Sequence, residues 1–254
     1  MNTNLEKSMN DMMTICKTTY TRVMRTRSLY VLLLAVLVLV GAAHLYDDLT
    51  GGRQKELMYD VGAALLTVVG LFTALVVAFD IARDLRERVV MTLLSKPLGR
   101  SHYLLGKFLG VVRIGTVNLL ILTIGILLLL KWEHGVMRWD FLKLAFSTWG
   151  MMVMTTAVGV LFASFFNELP AVILTVAVFA LGHTTGVLYH DGSPISSLLF
   201  GVLPNFGLLD FKAELGNGLP ISWKLVTASV LYALAYCGAL LSLANIIFHR
   251  RDIA

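Results

Sequence analysis

The sequence predicts an all-α membrane protein: a bundle of six transmembrane helices, with an amphipathic interfacial helix before it and a charged cytoplasmic helix between helices 2 and 3. Hydrophobic residues make up 57% of the 254 residues and charged residues only 15%, against about 45–50% and about 25% in soluble domains. Six apolar runs are each long enough to cross the ~30 Å hydrocarbon core of a bilayer. Basic residues cluster in alternate connections between these runs, as they do in multi-pass membrane proteins.

Residues 1–28 are predicted to form a cytoplasmic amphipathic helix at the membrane surface. Apolar residues follow near-helical spacing here and basic residues accompany them: Leu5, Met9, Met12, Cys16 and Val23, with Lys17, Arg22, Arg25 and Arg27. Such a helix places its apolar face at the acyl boundary and its basic residues at the headgroups. A frayed polar tail is the alternative interpretation of the same residues.

Residues 29–254 are predicted to form one membrane domain of six spanning helices. The predicted spans cover residues 29–46, 61–82, 111–130, 144–166, 170–190 and 224–247. Only three residues separate the fourth and fifth spans, and Pro170 then suits the first turn of a new helix, so a tight turn is predicted there. The apolar segment from His190 to Ser222 is broken by prolines and an Asn-Gly pair. It is therefore predicted to pack back against the bundle as short helices.

The distribution of basic residues predicts the orientation of the bundle. Of the 21 Lys and Arg residues, fourteen lie in the N-terminal segment, the C-terminus, and the second connection with the start of the third helix; seven lie in the other connections. Because cytoplasmic connections carry the excess of basic residues, both termini and the second connection are predicted to be cytoplasmic. Trp132, Trp139 and Trp223 then lie at the outer interface, where aromatic rings are enriched.

The second connection, residues 83–109, carries charges of both signs and a helical periodicity of its own. Leu85, Val89 and Leu93 fall on one face of a helix, and Pro97 prevents that helix from continuing through its position. These features predict a short cytoplasmic helix, a turn and then the third span. Two interpretations fit this connection: a docking surface for a partner protein and an ordinary positive-inside loop.

The same connection resembles the hallmark of the type-2 ABC exporter permease family (ABC-2 type). That hallmark has an acidic residue, a Thr-x-Leu-Leu-Ser-Lys-Pro core, a basic residue and a Gly-Lys pair. The matching residues here are Asp84, Glu87, Arg88, Thr92, Leu94, Ser95, Lys96, Pro97, Arg100, Gly106 and Lys107. Val89 stands where many relatives have Thr, and the Gly-Thr pair of other branches is absent, so the subfamily is not fixed. The resemblance also covers the basic N-terminal helix, the six spans and the Phe248-x-Arg250-Arg251-Asp252 ending.

The resemblance implies the membrane-spanning permease subunit of an ABC transporter, an exporter in the inner (plasma) membrane. It implies a dimer with a second permease copy or a paralogue, seated on separately encoded ATP-binding cassette ATPase subunits. The helix around residues 84–94 would then be the coupling helix, which carries nucleotide-driven motion into the bundle. The residues implied to dock the ATPase are Asp84, Arg86, Glu87, Arg88, Thr92, Lys96, Pro97 and Arg100.

The residues themselves exclude ATP binding by a phosphate loop in this chain. No G-x-x-x-x-G-K-[ST] run occurs, since Gly106-Lys107 is followed by Phe108 and has Ser101 where the first glycine is required. No zinc-protease or serine-hydrolase motif occurs either. We therefore expect no enzyme activity and no cofactor in this chain, with ATP bound by the partner subunit. The net charge of +5 fits contact with anionic membrane lipids better than contact with nucleic acid.

Two polar residues inside the predicted spans are candidates for a transport pathway. His183 lies within the fifth span, where ionisable residues are functional candidates, and Asn118 lies within the third. Hydrogen bonding between helices is the alternative role for both. An ATP-independent secondary carrier and a membrane assembly factor are the alternative functions. A carrier is disfavoured because no Asp, Glu, Lys or Arg lies near the centre of a predicted span, and ion relays usually require such groups.

Overall fold

The computed structural model of the protein is all-helical in the parts that it describes, which are residues 12–22, 54–87, 100–134, 139–188 and 203–250. The helices are α1 over residues 12–22, α2 Gln54–Arg86, α3 Arg100–His134, α4 Asp140–Phe165, α5 Glu168–Leu188, a 3-10 helix Phe206–Leu209, α6 Lys212–Gly216 and α7 Trp223–Arg250. No strand occurs within these ranges. The prediction of an all-α protein is confirmed.

Four helices of the described ranges are long and apolar enough to cross a bilayer: Tyr59–Arg86, Ser101–Trp132, Asp140–Phe165 and Trp223–Phe248. They coincide with the second, third, fourth and sixth predicted spans. The fifth predicted span coincides with α5, whose apolar stretch Glu168–Thr184 is shorter. The chain is therefore a multi-pass membrane protein. The first predicted span, residues 29–46, lies outside the described residues, so the count of six stays a prediction.

The helices α2 and α3 are longer than the spans that hydropathy predicts. α3 has 35 residues, which at ~1.5 Å per residue exceed the ~30 Å hydrocarbon core by about 20 Å. Most of the extra length lies at the start of α3, residues 100–110, next to the end of α2. A span predicted from hydropathy ends at the first charged residues, but opposite charges one turn apart stabilise a helix beyond that point. At the end of α2, Arg83 and Glu87 form such a pair, with 2.8 Å between Nε and Oε1.

The centre of the bundle is α4, which packs against α2, α3, α5 and α7. All ten residues 151–160 are buried. The hydroxyls of Thr155 and Thr156 donate to carbonyl oxygens four residues earlier, at 2.8 and 2.7 Å, so their burial leaves no polar group unpaired. Gly159 lets α2 approach, because an added Cβ would lie 3.0 Å from the Ala74 carbonyl oxygen.

The predicted tight turn between the fourth and fifth spans is confirmed. α4 ends at Phe165 and α5 begins at Glu168. Pro170 then lies in the first turn of α5, where its missing N–H would have no intrahelical partner in any case.

The part of the proline-containing connection before α7 that the structure describes, residues 203–222, packs against the bundle as short helices, as the sequence predicts. Leu209 is buried, and the Ser147 hydroxyl of α4 donates to its carbonyl oxygen at 2.6 Å. Such bonds satisfy irregular backbone that lipid would leave unpaired. The chain turns at Gly218, whose φ of 71° is a left-handed conformation that favours glycine.

Three exposed tryptophans lie at one end of the bundle. Trp132 lies near the end of α3, Trp139 directly precedes α4, and Trp223 begins α7. At this end Lys143 of α4 donates to the Ile221 carbonyl oxygen at 2.8 Å, which fixes the connection that leads into α7. We call this the tryptophan end; the end of α2 and the start of α3 lie at the opposite end.

Candidate functional site

α1 packs against the start of α3 through two glycines. A Cβ on Gly106 would lie 2.9 Å from the Ile15 Cβ, and a Cβ on Gly110 would lie 2.8 Å from the Thr19 Cβ. Small residues four apart let two helix backbones approach closely. The sequence predicts a helix at the membrane surface, and the structure adds that this helix packs against α3. Its position relative to the membrane stays a prediction.

The last turns of α2 carry a buried carboxylate, Asp84, which three side chains hold. The Asp84 side chain is only 2% exposed. Arg22 Nη1 of α1 donates to Asp84 Oδ1 at 3.0 Å, and the Tyr103 hydroxyl of α3 donates to Oδ2 at 2.9 Å. Lys107 Nζ of α3 lies 2.7 Å from the same Oδ2. We call Arg22, Asp80, Asp84, Tyr103 and Lys107 the Asp84 cluster.

Lys107 bridges both carboxylates of the Asp84 cluster. Asp80 and Asp84 are one turn apart on α2, so their side chains share a face. Lys107 Nζ contacts Asp80 Oδ2 as well as Asp84. The two carboxylates balance the two cations, which permits Lys107 to be buried at 4% exposure. Removing one partner of such a buried pair typically costs ~3–5 kcal/mol, because the other charge is left unpaired.

Arg22 makes the more exposed contact of the cluster. Its side chain is 53% exposed, and its Nη1 lies 3.0 Å from Asp84 and 3.4 Å from Asp80. The hydrogen bond to Asp84 raises the pKa of the Arg22 guanidinium above its usual value, so this residue stays charged. Exposed ion pairs contribute only ~0–1 kcal/mol. Water and salt therefore compete for Arg22 more than for the buried Lys107.

Tyr103 connects the Asp84 cluster to α7. Its ring stacks against that of Phe248, with 6.2 Å between the centroids and 15° between the planes. Both side chains are buried. Asp84 therefore lies where α1, α2 and α3 meet, and its neighbour Tyr103 extends the contact to the last helix.

The structure separates the predicted docking residues into an inward and an outward set. Asp84 faces inward, into the cluster. Arg86 and Glu87 are exposed: Arg86 Nη2 lies 3.1 Å from Glu168 Oε1 at the start of α5, and Glu87 Oε1 accepts a hydrogen bond from Arg83 Nε at 2.8 Å. The end of α2 is thus attached to α5 as well as to α1 and α3.

The other predicted docking residues lie at or beyond the edge of the described chain. Arg100 is the first residue of α3. Arg88, Thr92, Lys96 and Pro97 lie outside the described residues. Sequence reasoning missed Arg22, Tyr103 and Lys107 as partners of Asp84, and Asp80 as the second carboxylate that Lys107 contacts. The four-residue spacing of Asp80 and Asp84 was the available signal, since it predicts two carboxylates on one face of α2.

The two candidate pathway residues lie on different helices. His183 of α5 packs against the rings of Phe179 and Phe206, with 4.6 and 5.4 Å between ring centroids. Its Nδ1 lies 3.0 Å from the Phe179 carbonyl oxygen. The contact with Phe206 attaches α5 to the connection before α7, and these contacts are those of a packing residue. Asn118 of α3 is buried. A role in a pathway stays a prediction for both.

The bundle of apolar helices defines a multi-pass membrane protein. Residues 11–253 match the family described as ABC-2 family transporter protein, and the chain belongs to that family. Its members are membrane transport components of ABC transporters, and they generally work with an ATPase subunit. The resemblance seen in the sequence is thereby confirmed. A comparison with curated proteins finds no match.

Proposed function

We propose that this chain is the membrane-spanning permease subunit of an ABC exporter. It moves a substrate across the inner (plasma) membrane, and the energy comes from ATP hydrolysis on a separately encoded ATP-binding cassette subunit. The family match over residues 11–253 supports the permease role. The full sequence lacks a phosphate loop, which supports a partner as the source of energy.

The observation that carries this proposal is the way in which α2 ends. Asp84 fixes the last turn from the inside, while Arg86 and Glu87 are exposed directly before the motif core. Charges of both signs on a firmly held helix end suit docking, because rim charges set register and association rate. The proposed docking residues are Arg86, Glu87, Arg88, Thr92, Lys96, Pro97 and Arg100, with Asp84 holding the end of α2.

The proposed assembly is a dimer with a second permease copy or a paralogue, surrounded by lipid, with both termini cytoplasmic. α3 exposes a row of apolar side chains one turn apart, Leu120, Ile124 and Leu128. Such a row suits contact with lipid or with the second permease, because it presents no polar group to an apolar neighbour. His183 and Asn118 are the proposed contacts of the substrate pathway.

Copurification with the cognate ATPase tests this function. The permease and the ATPase of the neighbouring reading frame are expressed together, and recovered ATPase is measured at equal membrane levels of permease. Glu87→Lys reverses the charge of one proposed docking residue. Loss of one partner of a desolvated pair costs ~2–5 kcal/mol, so recovery should fall about tenfold or more.

Asp210→Lys is the matched control for this experiment. Asp210 pairs with Lys212 at 3.6 Å near the tryptophan end, so the same charge reversal there should leave recovery unchanged. If the wild-type permease recovers no ATPase, the exporter proposal fails and a carrier or assembly factor takes its place.

A further inference from the structure

We propose that α1, the end of α2 and the start of α3 move as one rigid unit, and that Lys107 and Arg22 are the positioning residues that hold it together around Asp84. The inference rests on the proposed function, since the unit would carry the movement of a docked ATPase into the bundle. The transmitting element is then this three-helix unit, which includes the N-terminal helix, and not the coupling segment alone.

Two independent kinds of contact join the three helices. Gly106 and Gly110 bring α1 so close to α3 that even one added carbon would lie less than 3.0 Å from Ile15 or Thr19. Close-packed surfaces of this kind transmit displacement because they have little room to deform. The Asp84 cluster adds charged contacts from α2 to both other helices. A shift of α2 therefore displaces α1 and α3 with it.

The two cations of the cluster differ in what they join. Lys107 is buried and bridges two carboxylates, so it holds α2 to α3 in a place that water and salt do not reach. Arg22 is half exposed and joins α1 to α2. Loss of Arg22 should therefore loosen only α1, while loss of Lys107 should separate α2 from α3.

The same unit has contacts through which its movement reaches the rest of the bundle. Arg86 joins the end of α2 to Glu168 at the start of α5. Tyr103 stacks on Phe248 at the end of α7. These are contiguous contacts between packed helices, the physical requirement for energetic coupling between distant parts of a protein.

Distances between spin labels test the unit without knowledge of the substrate. Met13 of α1 and Phe79 of α2 are both exposed, and cysteines at these positions are labelled in a background lacking Cys16 and Cys237. A second pair joins position 13 to Trp139 at the tryptophan end, which directly precedes α4 and therefore lies outside the proposed unit. Both distances are measured in the permease–ATPase complex, without nucleotide and with ATP and vanadate. The distribution of the first distance should stay narrow and its mean constant, and the mean of the second distance should change with nucleotide.

Substitutions in the cluster provide the decisive comparison. Arg22→Gln should broaden the distribution of the first distance in the nucleotide-bound complex. Lys107→Met should abolish most of the nucleotide-dependent change of the second distance, because α3, and α1 that packs on it, then no longer follow α2. The double variant Asp84→Asn/Lys107→Met removes both charges, in case the single variant does not fold. Lys143→Met is the matched control, because Lys143 and Asp140 also pair at 2.7 Å but at the tryptophan end.

The outcomes separate this inference from the proposed function. A first distance that changes with nucleotide in the wild type overturns the rigid unit, and so do cluster variants that behave as the wild type does. If the wild-type permease binds no ATPase, the proposed function fails. The first distance in the permease alone, compared between wild type and variants, then still decides whether the cluster holds the three helices together.

Discussion

Lys107 and Asp84 form an ion pair, with 2.7 Å between Nζ and Oδ2, across two helices that the chain joins only through the motif connection. Asp84, the acidic residue, lies at one end of the motif and the Gly106-Lys107 pair at the other, and in the structure Lys107 contacts Asp84. Gly106 allows α1 to pack closely, and Lys107 neutralises the carboxylates of α2. The connection from α2 to α3 therefore leaves from the Asp84 cluster and returns to it.

The first prediction concerns the charge balance of the Asp84 cluster. Lys107→Met should lower the free energy of unfolding by ~3–5 kcal/mol, because Asp84 then stays buried with less positive charge around it. The loss in the double variant Asp84→Asn/Lys107→Met should be at least about 1 kcal/mol smaller than the sum of the losses in Lys107→Met and Asp84→Asn, since residues in contact are not additive. Denaturant titration in detergent measures all three variants. A loss in the double variant equal to that sum would show that the pair is not coupled.

The second prediction concerns the close approach of α1 to α3. Gly106→Ala places a Cβ 2.9 Å from the Ile15 Cβ, so it should cost ~1–3 kcal/mol of stability or displace α1. Limited proteolysis of the N-terminal segment reports the displacement. Gly125→Ala is the control, because no atom lies within 4 Å of its added Cβ. Ile15→Gly, which removes the facing Cβ and Cγ2, should reduce the displacement of α1 in Gly106→Ala, and an unchanged displacement would contradict the proposed contact.

The sequence predicts those parts of the fold that local patterns determine. Apolar runs place the described spans, and Pro170 and Gly218 mark turns because their backbone preferences are local. The lengths of α2 and α3 are not predictable in this way. The end of α2 is supported by the Arg83–Glu87 ion pair, and the start of α3 packs against α1 at Gly106 and Gly110. A hydropathy average treats charge only as a signal that a span ends.

The position of Asp84 shows why a site is harder to predict than a span. On the sequence it is one more charge in a charged cytoplasmic connection, and an exposed docking role is the natural prediction. Its burial depends on Lys107, 23 positions later, and on Arg22 of another helix. No local pattern encodes such contacts. All of the docking residues stay predictions, and most of those beyond Glu87 lie outside the described residues.

A third prediction concerns His183. Its ring packs against Phe179 and Phe206, so we expect His183→Asn to retain most of the ATPase activity of the assembled transporter. His183→Ala, which removes the polar group as well as the ring, should lower stability more than His183→Asn, which keeps a polar side chain. Activity that collapses in His183→Asn at normal expression and assembly would instead indicate contact with substrate or a proton.

The last prediction concerns orientation and combines the charge count with the structure. The Asp84 cluster and the basic start of α3 lie at one end of the bundle, and the exposed Trp132 and Trp223 lie at the other. Basic residues are concentrated on the cytoplasmic side and tryptophans mark the interfaces, so the tryptophan end should face outward. Single cysteines at Ser95 and Asn217 therefore test the two sides.

An impermeant maleimide should label position 217 in intact cells, and it should label position 95 only after the membrane is permeabilised. Asn217 suits the probe because it is exposed, whereas a Cβ on its neighbour Gly216 would lie 3.0 Å from Asp60 Oδ1. The background lacks Cys16 and Cys237, which are the two native thiols. Labelling of position 95 from outside would place the docking residues on the wrong side of the membrane for a cytoplasmic ATPase, so the orientation and the exporter function would fail together.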